Sequence, residues 1–467
     1  MKKLIIWAAL AAAVISCGKK ADEYGYTIKN NQIVYNTPAR PADQQSMLGF
    51  AAEPIEHVRI GLVGLGDRGS GAVERLPYVD DCTIVALCDL YPERVEKGQQ
   101  ILEKVGAPRA IYEYSGEEGY KELCQNDSID LVYLAVPWYL HTPIAVYAME
   151  HGKHVAIEVP AATSIQECWD LVNTSERTRK HCMMLENCCY DFFEITCLNM
   201  AQQGLFGEVV HTEGSYCHNL EPFWDVYQGD WRMTYNMDHH GDVYPTHGIG
   251  PICQVMNIHR GDKMDVLVSM DTDAFSGMEA AEARYGKGKV DHYDNGDNTM
   301  TFIRTHNGKT ILVEHSVVTP RPYDRMFQIQ GTRGFANKYP NEGLALGGKD
   351  LTGIDSEDLD AEDYMSDAER DILMEAYKHP ILKQYEAKAR EVGGHGGMDF
   401  IMDSRLIYCL KNGLPLDQDV YDAAEWSCLV ELTEVSINHG NMPVVIPDFT
   451  RGEWNKLDGL KLYYANK

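Results

Sequence analysis

Between residues 58 and 159 the chain alternates short, continuously apolar runs with longer segments in which apolar residues recur at helical spacing. A short apolar run bounded by turn residues predicts a buried strand, and apolar residues three or four apart predict a helix. Because strands that alternate with helices form a parallel sheet, this region predicts a doubly wound α/β domain. The predicted strands are 60–63, 82–90, 129–136 and 154–159, and the predicted helices are 72–76, 94–105 and 142–150.

Beyond about residue 190 the pattern changes to strands separated by turn signals. The segment 305–309 (T-H-N-G-K) lies between two of these strands and predicts a hairpin. We therefore expect a second, α+β domain with a largely antiparallel open sheet, and the two domains to occupy residues 57–185 and 186–467. The predicted strands are 209–216, 265–270, 289–292, 299–305, 310–318 and 326–331, and the predicted helices are 367–392 and 423–439.

The first predicted strand leads into a glycine motif that is typical of dinucleotide binding. Gly64, Gly66 and Gly69 form G-x-G-x-x-G, in which the glycines allow a sharp turn, a close approach to a pyrophosphate and tight packing of helix on strand. The second strand ends near Asp89, about 20 residues further on, where an acid binds the ribose hydroxyls. Together these features predict a Rossmann-like domain that binds NAD. The acid, with no arginine immediately after it, favours NAD over NADP.

The first 17 residues are predicted to be an export signal. Lys2 and Lys3 precede an apolar run, 4–14, that is too short to span a membrane. The following V-I-S-C resembles the lipobox of bacterial lipoproteins, in which Cys17 becomes the acylated first residue; an ordinary signal peptide with a chance cysteine is the alternative. We expect an exported protein, lipid-anchored to a bacterial membrane on the periplasmic side or at the cell surface. Residues 18–56 would then serve as a tether and entry segment.

Charge and cysteine spacing exclude several kinds of partner. Lysine and arginine number 42 against 70 aspartates and glutamates, a formal net charge of −28. Such a surface repels nucleic acid and anionic lipid, so we expect no nucleic-acid partner and membrane contact only through the anchor at Cys17. The 13 cysteines include no C-x-x-C pair, no H-E-x-x-H occurs, and His239 and His240 are adjacent rather than at helical spacing. A metal site is not predicted.

Two turns follow predicted strands at the sheet edge where ligands bind in doubly wound folds. The first contains Trp138, Tyr139, Leu140 and His141, and the second reads Glu158-Val159-Pro160. With the helix and strand between them, they resemble the sugar oxidoreductases of the Gfo/Idh/MocA superfamily. That superfamily usually has Glu-Lys-Pro at the second turn, where the lysine assists acid–base chemistry at the oxidised carbon. Val159 replaces the lysine here, which argues against a plain dehydrogenase.

Four later segments make the resemblance more specific: 186–190 (E-N-C-C-Y), 198–208, 241–248 (G-D-V-Y-P-T-H-G) and 395–399 (H-G-G-M-D). From about residue 48 to 454 the chain resembles glycoside hydrolase family 109. The resemblance implies an NAD-dependent α-N-acetylgalactosaminidase acting on glycans with terminal N-acetylgalactosamine. In that mechanism NAD takes a hydride from C3 of the sugar, loss of the C2 proton expels the C1 substituent, water adds, and the hydride is returned.

The resemblance also implies the residues of the site. His247 is the first candidate for the acid–base residue, because histidine titrates near neutral pH, and Tyr190 is the second. Tyr244, three residues before His247, is the third catalytic candidate, because its hydroxyl can exchange hydrogen bonds with a sugar oxygen. From the residues alone, a lone histidine is more often a hydrogen-bonded core residue, and Tyr190 is as readily a packed aromatic. The implied substrate contacts are Tyr216, Arg232, Tyr244, Pro245, Thr246, His247 and Tyr323. The implied cofactor contacts are Gly64, Gly66, Asp67, Arg68, Gly69, Asp89, Trp138, Tyr139, Leu140, His141, Glu158, Val159 and Asn187.

Three classes of function remain open. A glycosidase that regenerates its own NAD fits the whole pattern. The alternative is an NAD-dependent sugar dehydrogenase of the Gfo/Idh/MocA type, which a lysine at position 159 would have favoured and which an exported location would deprive of a ready NAD pool. A lipid-anchored glycan-binding protein would leave the cofactor motif without a purpose. In the superfamily the second sheet also forms the oligomer face, so we expect a homo-oligomer.

Overall fold

A computed structural model describes residues 24–347 and 362–465 of the chain. The predicted export signal, including Cys17, lies outside the described residues. Within the described ranges, every helix is too short or too polar to cross a membrane.

Six parallel strands form the first sheet, and all of them except Tyr112–Ser115 are mostly buried. Numbered along the chain, they lie in the spatial order 3-2-1-4-5-6, which is the order of dinucleotide-binding doubly wound folds. Burial on both faces explains why the sequences of the other five strands are predominantly apolar, whereas the edge strand Tyr112–Ser115 reads Y-E-Y-S. The prediction of a Rossmann-like parallel sheet is confirmed. In chain order the strands are Val58–Val63, Cys82–Asp89, Tyr112–Ser115, Leu131–Leu134, His154–Ile157 and Cys182–Met184. The helices are Asp67–Arg75, Pro92–Lys104, Gly119–Gln125, His141–Glu150 and Ile165–Thr178.

The second sheet has ten strands among the described residues and is largely antiparallel, as predicted. Its exceptions are two parallel pairs, Thr310–Ser316 with Val209–Cys217 and Val444–Val445 with Gln32–Tyr35. The hairpin predicted around 305–309 joins Thr299–Thr305 to Thr310–Ser316 in antiparallel register. In spatial order the strands are Tyr26–Lys29, Gln32–Tyr35, Val444–Val445, Met264–Asp271, Thr299–Thr305, Thr310–Ser316, Val209–Cys217, Phe327–Gly331, Gly334–Asn337 and Gly343–Leu346.

Helices cover one face of this sheet and leave the other open. Thr246–Val255 packs on Val209–Cys217, and Leu429–Asn438 packs on Met264–Asp271. On the open face Met270 and Phe302 are each more than half exposed. The helices of the second domain are Phe192–Gln202, Trp231–Asp238, Thr246–Val255, Phe275–Tyr285, Asp367–Ala376, Pro380–Val392, Met398–Asn412, Val420–Ser427 and Leu429–Asn438.

Three predicted elements are not formed as expected. The predicted helix 423–439 is two consecutive helices, Val420–Ser427 and Leu429–Asn438. Residues 289–292 are not a strand, because Val290 is their single apolar residue and they lie at the surface. The predicted helix 367–392 is two helices, since Pro380 lacks the N–H that would continue the first one and instead begins the second. His379 caps that second helix by accepting a hydrogen bond from the backbone N–H of Ile381 at 3.1 Å.

The segment expected to be a tether is partly folded. Tyr26–Lys29 and Gln32–Tyr35 form a hairpin at the edge of the second sheet, and Ile33 is completely buried there. Arg40 makes ion pairs with Glu176 at 3.2 Å and with Glu453 at 2.9 Å, which fix the chain that follows. The tether prediction is therefore wrong from residue 26 onward, because Ile33 and Val34 pair with a strand more than 400 residues away in sequence.

Candidate active site

The glycine loop has the geometry that a phosphate-binding turn requires. Gly64 has φ +92°, and a Cβ there would lie 2.3 Å from the carbonyl oxygen of Ala135. A Cβ on Gly69 would lie 1.8 Å from the carbonyl oxygen of Gly64, so the helix packs against the turn with no room for a side chain. At Gly66 the space is open, and Asp67–Arg75 begins without a side-chain cap. The N–H groups of this helix end are available to an anion.

Asp89 joins the second strand to the glycine loop. Its carboxylate accepts hydrogen bonds from the backbone N–H of Leu65 at 2.7 Å and of Tyr91 at 3.0 Å. The Arg94 guanidinium lies 3.7 Å away. A carboxylate held here suits the ribose hydroxyls of a dinucleotide.

A cleft of about 770 Å³ runs from the glycine loop to the second domain. The structure brings together on its walls most residues that the sequence assigned to the site: Gly64, Gly66, Asp67, Arg68, Asp89, Trp138, Tyr139, Leu140, His141, Glu158, Val159, Asn187, Tyr216, Arg232, Tyr244 and His247. His141 also joins the two turns, because its ring nitrogens lie 2.7 Å from the carbonyl oxygen of Pro160 and 2.8 Å from that of Val136.

Five assigned residues do not line the cleft. Gly69 packs beneath the loop, and Pro245 and Thr246 begin the helix that presents His247. Tyr323 lies near the cleft, with its ring edge-on to that of His218 at 5.0 Å. Tyr190 is fully buried, its hydroxyl donates to Asp417 at 3.3 Å, and burial raises its pKa. The structure therefore gives Tyr190 a packing position and does not support it as an acid–base residue.

His247 is held by a carboxylate that the sequence did not single out. Nδ1 of His247 lies 2.7 Å from Oε1 of Glu186, and Glu186 is completely buried. Burial raises the pKa of Glu186, but the charge and hydrogen bond of His247 outweigh it, and the net pKa is below the usual value. Burial lowers the pKa of His247 more than Glu186 raises it. The pair is thus a carboxylate that accepts from Nδ1–H of a neutral imidazole, which leaves Nε2 free to take a proton.

Cys188 and Arg325 lie next to this pair. The Cys188 Sγ lies 3.5 Å from Nδ1 of His247, and Nη1 of Arg325 donates to that sulfur at 2.8 Å. The ligand atoms of Glu186, Cys188 and His247 all lie within 4.8 Å of one another, which is close enough for a metal ion. A guanidinium in contact with the thiol opposes a second cation, so this cluster suits proton handling better than metal binding.

Aromatic rings from both domains form one wall of the cleft. The rings of Trp138 and Tyr244 stack at 5.5 Å, and Tyr216 meets Tyr244 edge-on at 4.8 Å. The guanidinium of Arg232 lies 4.4 Å from the centre of the Tyr244 ring and donates to the hydroxyl of Tyr227 at 2.6 Å. Rings with hydrogen-bonding edges suit a polyhydroxylated ligand.

A charged network connects the glycine loop to the second domain. Arg68 pairs with Glu158 at 2.7 Å and with Asp399 at 3.1 Å, while Asn187 donates to Asp399 at 2.6 Å. His395 Nδ1 lies 2.8 Å from Asp399. Burial raises the pKa of Asp399, but Arg68 and the other cations lower it well below its usual value. These links fix the Glu158 turn relative to the helix Met398–Asn412.

Sequence reasoning missed Glu186, Arg325 and Asp399 as members of the site. Glu186 stands directly before Asn187, and Asp399 closes the H-G-G-M-D segment, so both lay inside segments that carried the family resemblance. Arg325 follows Tyr323 by two residues and carried no signal of its own.

Residues 58–186 match the oxidoreductase family with an NAD-binding Rossmann fold, and residues 190–456 match the C-terminal domain of glycosyl hydrolase 109. An NAD-binding oxidoreductase from Klebsiella pneumoniae superposes with a TM-score of 0.63 at 17% identity, covering 84% of this chain and 99% of that one. Levoglucosan dehydrogenase in complex with NADH and levoglucosan gives 0.61 at 16% identity, covering 84% and 100%. Fold and cleft together define a protein with an NAD-binding Rossmann domain of the Gfo/Idh/MocA type and a second, α+β domain.

Relatives in sequence identify the branch. The chain is 54% identical to glycosyl hydrolase family 109 protein 1 of Bacteroides thetaiotaomicron, over the full length of both chains. It is also 54% identical to the family 109 protein of Porphyromonas gingivalis, over 92% of each chain. The chain belongs to glycosyl hydrolase family 109.

Proposed function

We propose that the chain removes terminal α-linked N-acetylgalactosamine from glycans by NAD-dependent oxidation, elimination, addition and reduction, with no net redox change. One observation carries the proposal. The same cleft joins a dinucleotide-binding half to the His247–Glu186 pair and an aromatic wall. Its lining carboxylates among the described residues, Asp67, Asp89, Glu117 and Glu158, all belong to the first domain. Within the described residues, the part of the cleft formed by the second domain has no lining carboxylate, so the pair of carboxylates that flanks the scissile bond in most glycosidases is not found there.

The chain's own residues supply binding and proton transfer. Bound NAD would supply the reversible removal of two electrons from sugar carbon C3, which makes the C2 proton acidic. Nε2 of His247 is the base for that proton, since Glu186 holds the Nδ1–H. Burial keeps the pKa of the Tyr244 hydroxyl well above its usual value, so this group remains a hydrogen-bond donor to a sugar oxygen. Trp138 and Arg232 belong to the aromatic wall of the cleft and bind the sugar ring there.

The alternative is a net sugar dehydrogenase of the Gfo/Idh/MocA type. Val159 lines the cleft and is 4% exposed, and its side chain has no proton to exchange. A base at C2 and no lysine at position 159 favour elimination over simple oxidation. The choice rests on which product accumulates.

The assay offers p-nitrophenyl N-acetyl-α-galactosaminide to the purified protein with no NAD added. Nitrophenol release without a rise in absorbance at the NADH wavelength is the expected result. Accumulating NADH would establish the dehydrogenase instead. Release that persists after NAD is stripped from the protein would contradict the proposal.

We propose further that the protein is exported, lipid-anchored at Cys17, and a homo-oligomer. Met270 and Met300 pair across neighbouring strands on the open sheet face, beside the exposed Phe302. A second copy would cover this apolar surface. Light scattering of the protein without its first 23 residues gives the assembly, and a Phe302→Glu variant is expected to reduce it.

A further inference from the structure

We call the part of the cleft lined by Tyr216, Tyr244 and His247 its saccharide half. Two guanidinium groups are buried there without an ion-pair partner among the described residues. Arg232 is 6% exposed and Arg325 is 7% exposed, and both line the cleft. Within residues 24–347 and 362–465, no carboxylate lies within 4.0 Å of either one, although buried Arg75, Arg260 and Arg405 all have such partners. Nε of each also lacks a hydrogen-bond partner in the described structure.

The contacts that the two groups do make are neutral. Arg232 lies over the rings of Trp138, Tyr227 and Tyr244 and donates to the Tyr227 hydroxyl. Arg325 donates to Cys188 Sγ, and burial raises the pKa of that thiol well above its usual value, so the sulfur carries no charge. Arg232 lies over Tyr244, whose ring is 4.8 Å from that of Tyr216. Arg325 contacts Cys188 beside His247, and the His247 ring is 5.4 Å from that of Tyr216, so both guanidinium groups lie in the part of the cleft around Tyr216.

Glu186 is the carboxylate whose charge acts most strongly on Arg325. It contributes to the field at Arg325, but its charge faces His247, which it contacts at 2.7 Å. The other carboxylates on the cleft wall belong to the dinucleotide half. A buried cation without a counter-ion is strongly unfavourable, and two in one cavity are more so. Such a site is stabilised by a ligand that brings a negative charge.

We propose that the saccharide half of the cleft selects an N-acetylhexosamine that carries an anionic substituent, a sulfate ester or a carboxylate, which binds between Arg232 and Arg325. This proposal rests on the proposed function and narrows its substrate class. Arginine forks match the oxygens of both groups. The formal net charge of −28 opposes the approach of an anion at low salt. The preference for an anionic sugar therefore comes from the two arginines in the cleft and not from the overall charge of the protein.

The experiment measures equilibrium binding to the NAD-loaded protein, by calorimetry at physiological salt. The probes are N-acetylgalactosamine, its 6-sulfate and 4-sulfate, and N-acetylgalactosaminuronate. We expect at least one anionic probe to bind about tenfold or more tightly than the neutral sugar, the range of a charge-assisted hydrogen bond. Equal or weaker binding of all three anionic probes would overturn the proposal. Comparison of the two sulfates with the uronate identifies the kind of anion.

Arg325→Gln is expected to bring the ratio of anionic to neutral affinity towards one, and Arg325→Lys to retain part of it. Arg321→Gln is the matched control, because Arg321 lies on the same segment but pairs with Glu314 at 2.7 Å and with Asp324 at 3.3 Å. A ratio that survives in Arg325→Gln would also overturn the proposal. Because the wild-type comparison measures binding alone, its outcome is separate from whether the protein cleaves a glycosidic bond.

Discussion

Oε1 of Glu186 lies 2.7 Å from Nδ1 of His247, and the same oxygen accepts the backbone N–H of Cys188 at 3.0 Å. The backbone N–H of Cys188 therefore helps to hold the carboxylate in place, and the carboxylate in turn orients the imidazole. Nε2 is then directed at the cleft, where a proton can be exchanged with a bound sugar.

Replacing His247 with alanine should reduce nitrophenol release at least about 100-fold, the usual contribution of a general base. NAD should remain bound, because the residues that fit it belong mainly to the first domain. Release rate and the NAD content of the purified variant are the measurements. His240→Ala, which removes a half-exposed histidine paired with Asp271, is the control and should retain activity. Undiminished release in His247→Ala would remove this residue from the mechanism.

Glu186→Gln should lower kcat about 100-fold while retaining the side chain's shape. Glu186 raises the pKa of His247 against the effect of burial, so removing the carboxylate lowers that pKa further. His247 accepts a proton only above its pKa, and the acid limb of the kcat profile should therefore move to lower pH. The buried pair Glu425–His259, at 2.6 Å, provides the matched control. Glu425→Gln should change stability but not the position of the limb, and an unmoved limb in Glu186→Gln would contradict the assignment.

Asp89→Asn should weaken NAD binding by about tenfold or more, because a charge-assisted contact to the ribose hydroxyls is lost. Discrimination against NADP should fall with it, since the repulsion of a 2′-phosphate disappears. Fluorescence titration of the stripped protein with each dinucleotide measures both quantities. Asp80→Asn, at an exposed position of the same domain, should leave both affinities as in the wild type. Unchanged NAD affinity in Asp89→Asn would show that this carboxylate serves only the turn.

Gly69→Ala should destabilise the first domain by about 1–3 kcal/mol, because its Cβ would lie 1.8 Å from the carbonyl oxygen of Gly64. Gly71→Ala is the matched comparison in the same helix. A Cβ there meets nothing within 4 Å, so helix propensity should raise stability by about 0.5–1 kcal/mol. Urea unfolding of both variants measures the difference. Equal effects would show that the loop relaxes away from the clash.

Asp242→Asn should stabilise the protein at alkaline pH. Burial raises the pKa of Asp242 to about 7, above its unfolded value of 3.8. The folded state thus binds this proton more tightly than the unfolded state, so stability falls as the pH rises from about 4 to about 7 and stays low above it. The gain at pH 8.5 should be on the order of 1–3 kcal/mol, and close to zero near pH 4.

Thermal unfolding across this pH range measures the gain. Asparagine can still accept the N–H of Tyr244, which Asp242 accepts at 3.0 Å. Asp273→Asn, at an exposed position, should show no such pH dependence. A gain independent of pH in Asp242→Asn would assign the effect to packing rather than to a buried charge.

The sequence by itself determined the features that depend on local backbone and burial. Continuous apolar runs identified strands buried on both faces, and Gly64 and Gly69 identified a turn where a Cβ cannot fit. Turn residues placed the hairpin at 305–309. These features could be predicted because they depend on the backbone conformation and solvent exposure of residues close together in the sequence. The residue types at those positions set these local preferences directly.

Only the tertiary structure decided the features that depend on packing between distant segments. Glu186 meets His247 across 61 residues, and Arg325 meets Cys188 across 137. Part of the expected tether forms two strands, because the backbone of Ile33 and Val34 pairs with the distant strand Val444–Val445. Tyr190 lies outside the cleft, where its hydroxyl donates a hydrogen bond to Asp417. No local pattern specifies which distant partner a side chain meets, since that choice is made by the relative placement of whole elements around a common core.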